Sequence, residues 1–228
     1  MVPQDVPMDR DLLASLLADL SAALVRRGHH NQDLSRLSAT ATKDSIFLEQ
    51  LASHAAFHLD GAFLTSLAEQ LKIGFDALLF FGRVLGAPFV TEAVRRHKRR
   101  AAPPPESSGC CPWCGSPPGL AALSREEGSE GRRVLFCSLC GEHWPFARIP
   151  CPFCASQRQR SVLSFDEADP HTIETCDQCH GYLKTIDERK LPEGQSVVPL
   201  AETTATLYLD LIAEERGCAR AIPYAALR

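Results

Sequence analysis

The sequence lacks any apolar run approaching the roughly 20 residues that a membrane span needs, and Lys, Asp or Arg interrupts its longest candidates. The opening MVPQDVPMDRDLL has acids early and no basic segment leading into an apolar core, so no secretory signal is expected and the expected location is cytoplasmic. Excess positive charge is also missing. A formal net charge of -4 gives no general attraction to nucleic acid or anionic membrane. No Gly-rich phosphate loop, Gly-x-Ser-x-Gly elbow or matched carboxylate pair is visible, so the chain does not read as an enzyme. The first 100 residues hold no cysteine at all.

What is there begins with 228 residues, 45% hydrophobic and 23% charged, ordinary for one or two globular domains and enough to bury a core. Ten cysteines are confined to the second half. A reducing compartment does not keep such thiols as structural disulfides, which leaves metal binding or redox chemistry.

Apolar residues in the first half recur at helical spacing. Asp9 can cap a helix running to Arg27, with Leu12, Leu13, Leu16, Leu17, Leu20, Leu24 and Val25 on its apolar positions, ended by Gly28 and a polar turn at His29, His30 and Asn31. Further helices are expected from about Asp44 to His58, from Ala62 to Phe81, and from Thr91 to Arg100 after Pro88. Together they suggest a small antiparallel helical domain over 1–100. AAPPPESSG at 101–109 reads as a linker, because consecutive prolines cannot continue a helix. Helical spacing returns from Leu200 to Arg216, with Leu207, Leu211 and Ile212 on one face and Gly217 as a stop, inside a tail over 191–228.

Between linker and tail lie four Cys-x-x-Cys pairs: Cys111/Cys114, Cys137/Cys140, Cys151/Cys154 and Cys176/Cys179. Such a turn aims two sulfurs at one point, half of a tetrahedral shell, and two turns complete a four-thiolate site for zinc or iron. Separations of 22 residues between Cys114 and Cys137, and 21 between Cys154 and Cys176, suit a β-hairpin that returns the chain to the metal. CPWCGS at 111–116 recurs as CPFCAS at 151–156, which marks two repeated units over 110–148 and 149–190. The hairpin arms fall at about 119–124 with 132–136, and at 161–165 with 171–175. One metal ion is therefore assigned to Cys111, Cys114, Cys137 and Cys140, a second to Cys151, Cys154, Cys176 and Cys179. An interleaved pairing is the less economical arrangement. Trp144 and Tyr182 follow the closing turns and can cover the sites. The fold class expected is α+β in two domains: an all-α N-terminal domain, then tandem rubredoxin-like or zinc-ribbon β modules, then a C-terminal helix.

Closed four-sulfur sites offer no open coordination position, which argues against hydrolytic metal catalysis. Iron in them could carry electrons, as in a rubredoxin-like electron carrier. Thioredoxin-type exchange fits two matched units poorly. His54 and His58 are four apart but lack the Glu of a zincin helix, and read as ordinary helix residues. RRHKRR at 95–100 reads first as a solvated helix end; its other reading is docking to an acidic partner or to nucleic acid, as in a zinc-ribbon transcription adaptor. The overall acidity argues against the adaptor. Cys110 and Cys218 fall outside the repeat and read as incidental.

CPWCGSPP, LFCSLCGEHW, RIPCPFC, ETCDQCHGYLK and LYLDLIAEERG, in this order and spacing and with Trp144, Glu174, Tyr182 and Lys184 among them, resemble the formate dehydrogenase accessory protein family, FdhE, over roughly residues 110–224. The resemblance implies a helical domain joined to tandem rubredoxin-like modules. It also implies a cytoplasmic, non-enzymatic assembly chaperone that binds the molybdopterin-containing catalytic subunit of formate dehydrogenase and supports its maturation, with iron binding through the cysteines. The chain departs from the family pattern in being shorter ahead of the linker and in placing Cys218 after Gly217, where an aromatic is usual.

Overall fold

The computed structural model describes residues 6–27, 32–44, 46–58, 60–99, 109–128, 130–157, 160–164 and 166–220. The expected turn at Gly28 to Asn31, the linker at 101–108, Arg100, Phe165 and the end of the tail lie outside them. The chain divides near residue 100 into a helical unit and a sheet unit.

The helical unit opens with α1 (Arg10–Arg26), where the Asp9 carboxylate accepts the Leu12 amide at 3.0 Å. Leu13 and Leu17 are its buried residues, whereas Leu12 and Val25 are exposed, so the inward stripe is narrower than the periodicity suggested. An unanticipated helix, α2 (Gln32–Lys43), follows. It is rich in Ser and Thr, which favour caps and turns, and is held by two buried residues, Leu34 and Leu37. Next, α3 (Phe47–Ser53) runs into a π-helical turn (His54–His58), and α4 (Gly61–Leu71) starts on the Asp60 carboxylate, which accepts the Phe63 amide at 3.0 Å.

Two expected boundaries in this unit are corrected. The helix expected across Ala62 to Phe81 stops at Lys72, which is left-handed (φ 54°), while the Ile73 amide reaches back to the Ala68 carbonyl at 3.0 Å and Ile73 is buried. That is a Schellman-type end whose apolar anchor is local and non-glycine. The helix expected to begin after Pro88 instead forms one helix with the preceding residues, α5 (Phe75–Lys98), with Pro88 inside it. Leu78, Leu79, Phe81 and Leu85 before the proline and Val90 and Val94 after it are all buried, and their packing outweighs the roughly 3 kcal/mol an interior proline costs. By length and hydropathy α5 passes for a membrane span, but it is the central packing element of this unit. Gly82 and Gly86 let it approach the π-helical turn closely: an added Cβ would lie 2.5 Å from Ala55 Cβ at the first and 2.8 Å from Ala56 Cβ at the second.

The sheet unit is a mixed sheet of seven strands. In the first repeat β1 (Pro118–Leu123) pairs antiparallel with β2 (Arg133–Cys137), and β2 with β3 (His143–Pro145). In the second, β4 (Arg160–Leu163) pairs antiparallel with β5 (His171–Cys176), and β5 with β6 (Gly181–Asp187). The repeats are not separate beads. β1 pairs in parallel with β6 through Ala121/Thr185, Ala122/Ile186 and Leu123/Asp187, giving the order β3-β2-β1-β6-β5-β4. The other end of β6 takes a short parallel strand, β7 (Ala219–Arg220). The fold is α+β, as expected, with the modules fused edge to edge.

The expected C-terminal helix is two helices, α6 (Pro199–Ala205) and α7 (Leu207–Glu215). The Lys184 ammonium donates to the carbonyls of Thr203 at 2.8 Å and Thr206 at 3.3 Å, occupying acceptors at the break. The buried side of α7 is Leu209 and Ala213, packed on Ile173 and Tyr182 of the sheet; of the three residues expected to share one face, Ile212 packs against this cluster while Leu207 and Leu211 are exposed. Leu191 and Val197 close over Leu120, Ile186 and Phe136 elsewhere on the sheet.

Candidate metal centres

Each Cys-x-x-Cys pair occupies a tight turn closed by its own backbone. The Gly115 amide donates to the Cys111 carbonyl at 2.8 Å and the Cys111 amide to the Ser116 carbonyl at 2.7 Å. In the second repeat Ala155 donates to Cys151 at 2.9 Å and His180 to Cys176 at 2.8 Å. The residue after each second cysteine is left-handed: Gly115 (φ 79°), Gly141 (φ 71°), Ala155 (φ 58°) and His180 (φ 54°). Only the first repeat places glycine, the residue without penalty there, at both positions.

The strands carry these turns to two points. Cys111, Cys114, Cys137 and Cys140 bring their sulfurs within 4.8 Å of one another, and so do Cys151, Cys154, Cys176 and Cys179. Individual sulfur separations are 3.4 Å for Cys114/Cys137, 3.6 Å for Cys114/Cys140, 3.7 Å for Cys111/Cys140 and Cys154/Cys176, and 3.8 Å for Cys151/Cys179. A tetrahedral thiolate shell with bonds near 2.3 Å has edges of about 3.8 Å. Amides of Leu139 and Cys140 approach Cys137 Sγ at 3.4 Å, the donors a thiolate uses. The crowding also splits the acidities. Hydrogen bonds from Cys111, Cys137 and Cys140 pull the Cys114 thiol far down, while Cys111 and its neighbours push Cys140 up. Four thiolates this close need a cation between them, and each set can hold one metal ion; zinc and iron both suit four sulfurs.

The sets differ in exposure. In the first, Cys111, Cys137 and Cys140 are buried and Cys114 is half-buried; in the second, Cys151 and Cys176 are buried while Cys154 and Cys179 are exposed. A cleft behind the second set is lined by Cys151, Cys176, Leu183, Arg133 and Glu174.

The remaining candidates do not join either set. Cys110 is exposed and Cys218 half-buried beside Ile173 and Tyr182, and burial pushes both thiols up. His54 stacks on Phe63 at 3.9 Å and lies 3.5 Å from Asp60; the His58 side chain falls outside the described residues. Within the basic run, Arg95 and Arg96 hold the Glu92 carboxylate at 2.6 and 2.7 Å, which keeps that carboxyl down at about 2. Tyr182 faces α7 rather than a cysteine set: its hydroxyl donates to Asp210 at 2.8 Å, and Lys184 donates to the same carboxylate at 2.7 Å.

Arg133 was not singled out from the sequence. It is almost fully buried, donates to Glu174 at 2.7 Å and lies 5.9 Å from the Phe146 ring. The signal was present in the alternation of β2, which puts Arg133 on the same face as Leu135 and Cys137.

Two family models match the chain: FdhE, central domain, over residues 110–148, and FdhE, C-terminal domain, over 149–227. Among curated proteins the chain is similar to the Protein FdhE homolog of Stutzerimonas stutzeri (39% identical over 52% of this chain and 38% of that protein). It is also similar to those of Edwardsiella ictaluri (33%, over 76% and 54%) and Shewanella oneidensis (30%, over 90% and 62%). The chain thus spans between 38% and 62% of the length of these relatives. The crystal structure of the FdhE protein from Pseudomonas aeruginosa shares the fold, with a TM-score of 0.50 at 23% identity over 96% of both chains.

Proposed function

The chain belongs to the FdhE family, and on that premise we propose that it is a cytoplasmic, non-enzymatic accessory chaperone that binds the catalytic subunit of a molybdenum-dependent formate dehydrogenase and supports its maturation. The observation that carries this reading is the pair of four-sulfur sets, lying wholly within the residues the two family models match. Each set has tetrahedral spacing, with every position taken by a cysteine, so a metal held by all four sulfurs has no vacant coordination position at which to activate a substrate. With metal in place, the eight cysteines hold the turns, the Arg133–Glu174 pair ties the two repeats, and the sheet becomes a rigid surface for a protein partner.

Two measurements test this. The metal-loaded chain is expected to co-purify with a formate dehydrogenase catalytic subunit from anaerobically grown cells, and a chain that ignores every such subunit overturns the partner assignment. Elemental analysis after anaerobic purification is expected to give two iron or zinc ions per chain.

A further inference from the structure

The two four-cysteine sets share a fold repeat but not an environment, and two independent observations separate them. The first is access. One set closes three of its four cysteines into the interior, whereas Cys154 and Cys179, one from each turn of the other set, are exposed. Two of the four corners of that shell are thus supplied by exposed residues, one from each turn. The second is backbone. The turns around the buried set close on Gly115 and Gly141, while those around the exposed set force Ala155 and His180 into the left-handed region, where a side chain crowds the following carbonyl.

A thiolate-bound ion leaves its site by substitution. An incoming thiol gives up its proton as its sulfur bonds to the metal, a metal–cysteine bond breaks, and the released cysteine sulfur takes up that proton by way of solvent; the oxidation state of the metal does not change. That step needs room for the incoming group and a ligand free to swing away. In the first set only Cys114 reaches the surface, and only in part, whereas in the second Cys154 and Cys179 both lie open to an incoming group.

Resting on the metal reading above, the geometry points to a division of labour: Cys111, Cys114, Cys137 and Cys140 form a permanent structural staple, and Cys151, Cys154, Cys176 and Cys179 form an exchange site that passes a thiophilic divalent cation to, or takes it from, a dithiol ligand entering over Cys154 and Cys179.

The test uses the full chain loaded with two equivalents of zinc, challenged with 2,3-dimercaptopropanol and followed by the zinc released to a colorimetric indicator. One equivalent is expected to leave at least tenfold faster than the other. Cys154→Ser and Cys179→Ser chains are expected to purify with one zinc that leaves only in the slow phase. Iodoacetamide added during release to the unaltered chain gives a readout that does not depend on any variant folding. Cys154 and Cys179 are expected to be alkylated with the fast phase, and Cys111, Cys137 and Cys140 with the slow one. Release of both ions in a single phase, or alkylation in the reverse order, overturns the division of labour. A loaded chain that holds fewer than two ions overturns the four-thiolate reading itself, and the exchange site with it.

Discussion

Arg133 and Glu174 form an ion pair at 2.7 Å whose side chains are 1% and 11% exposed, and their strands are separated in the sheet by β1 and β6. One residue belongs to each cysteine repeat, so the pair spans the seam where the repeats fuse. Glu174 is also held by the Thr185 hydroxyl at 3.1 Å, which fixes the acceptor. Removing one partner of a buried pair takes the counter-charge from the other. Arg133→Met is therefore expected to cost about 3–5 kcal/mol in denaturant unfolding of the metal-loaded chain. The double variant Arg133→Met, Glu174→Leu is expected to recover much of that loss, and a double variant as unstable as the sum of the single ones would show that the pair does not act as a unit.

The left-handed turn positions predict opposite responses in the two repeats. Gly141 has open space around a hypothetical Cβ, so Gly141→Ala is penalised by backbone conformation alone, by about 1 kcal/mol. Ala155→Gly relieves the same strain, offset by the extra freedom glycine has when unfolded, and is expected to stabilise by about 0.5 kcal/mol. Denaturant midpoints of the two variants, measured with saturating zinc, should move in opposite directions.

In the helical unit, Gly82→Ala would place a methyl group 2.5 Å from Ala55 Cβ and 3.0 Å from the Leu51 carbonyl oxygen. Neither neighbour can swing away, so α5 must shift. The expected cost is about 1–3 kcal/mol, read from the midpoint of the helical circular-dichroism signal on unfolding.

Tyr182 supplies a pH dependence. Burial, and then the hydrogen bond to Asp210, push its hydroxyl above the ordinary value of 10.0. The folded chain thus keeps a proton that the unfolded chain releases, and the associated stability is complete below pH 10 and lost as pH rises through the folded value. Lys184 has the opposite sign, because burial lowers its ammonium below 10.5, and it stays in place in the variant. Tyr182→Phe is expected to lose about 1–3 kcal/mol at pH 7 and to show a shallower decline above pH 10 than the unaltered chain; parallel curves would exclude the hydroxyl as the titrating group.

The grouping of the eight sulfurs was legible because it depends on short-range rules: two cysteines three apart share a turn, and about twenty residues make a hairpin that returns. The hairpin strands themselves fell within a residue or two of their expected places. What escaped depends on partners distant in sequence. α2 carries weak local signals and exists because Leu34 and Leu37 are covered, and Pro88 stays helical because the residues on both sides of it are buried. The sheet-facing side of α7 depends on the same kind of partner, since Leu209 and Ala213, with Ile212, meet the sheet while the more conspicuous Leu207 and Leu211 do not. Fusion of the repeats through β1 and β6 leaves no trace in the spacing of the cysteines.

That fusion fixes an order of events during synthesis. β1 can complete its hairpin with β2 as soon as Cys137 is made, but its other edge waits about fifty residues more for β6. A nascent chain paused between the two repeats carries an open strand edge rich in small and apolar residues, the kind that recruits a second chain. In the folded chain β6 covers that edge and β5 beside it carries Glu174 to Arg133, so the second half of the unit closes what the first leaves open.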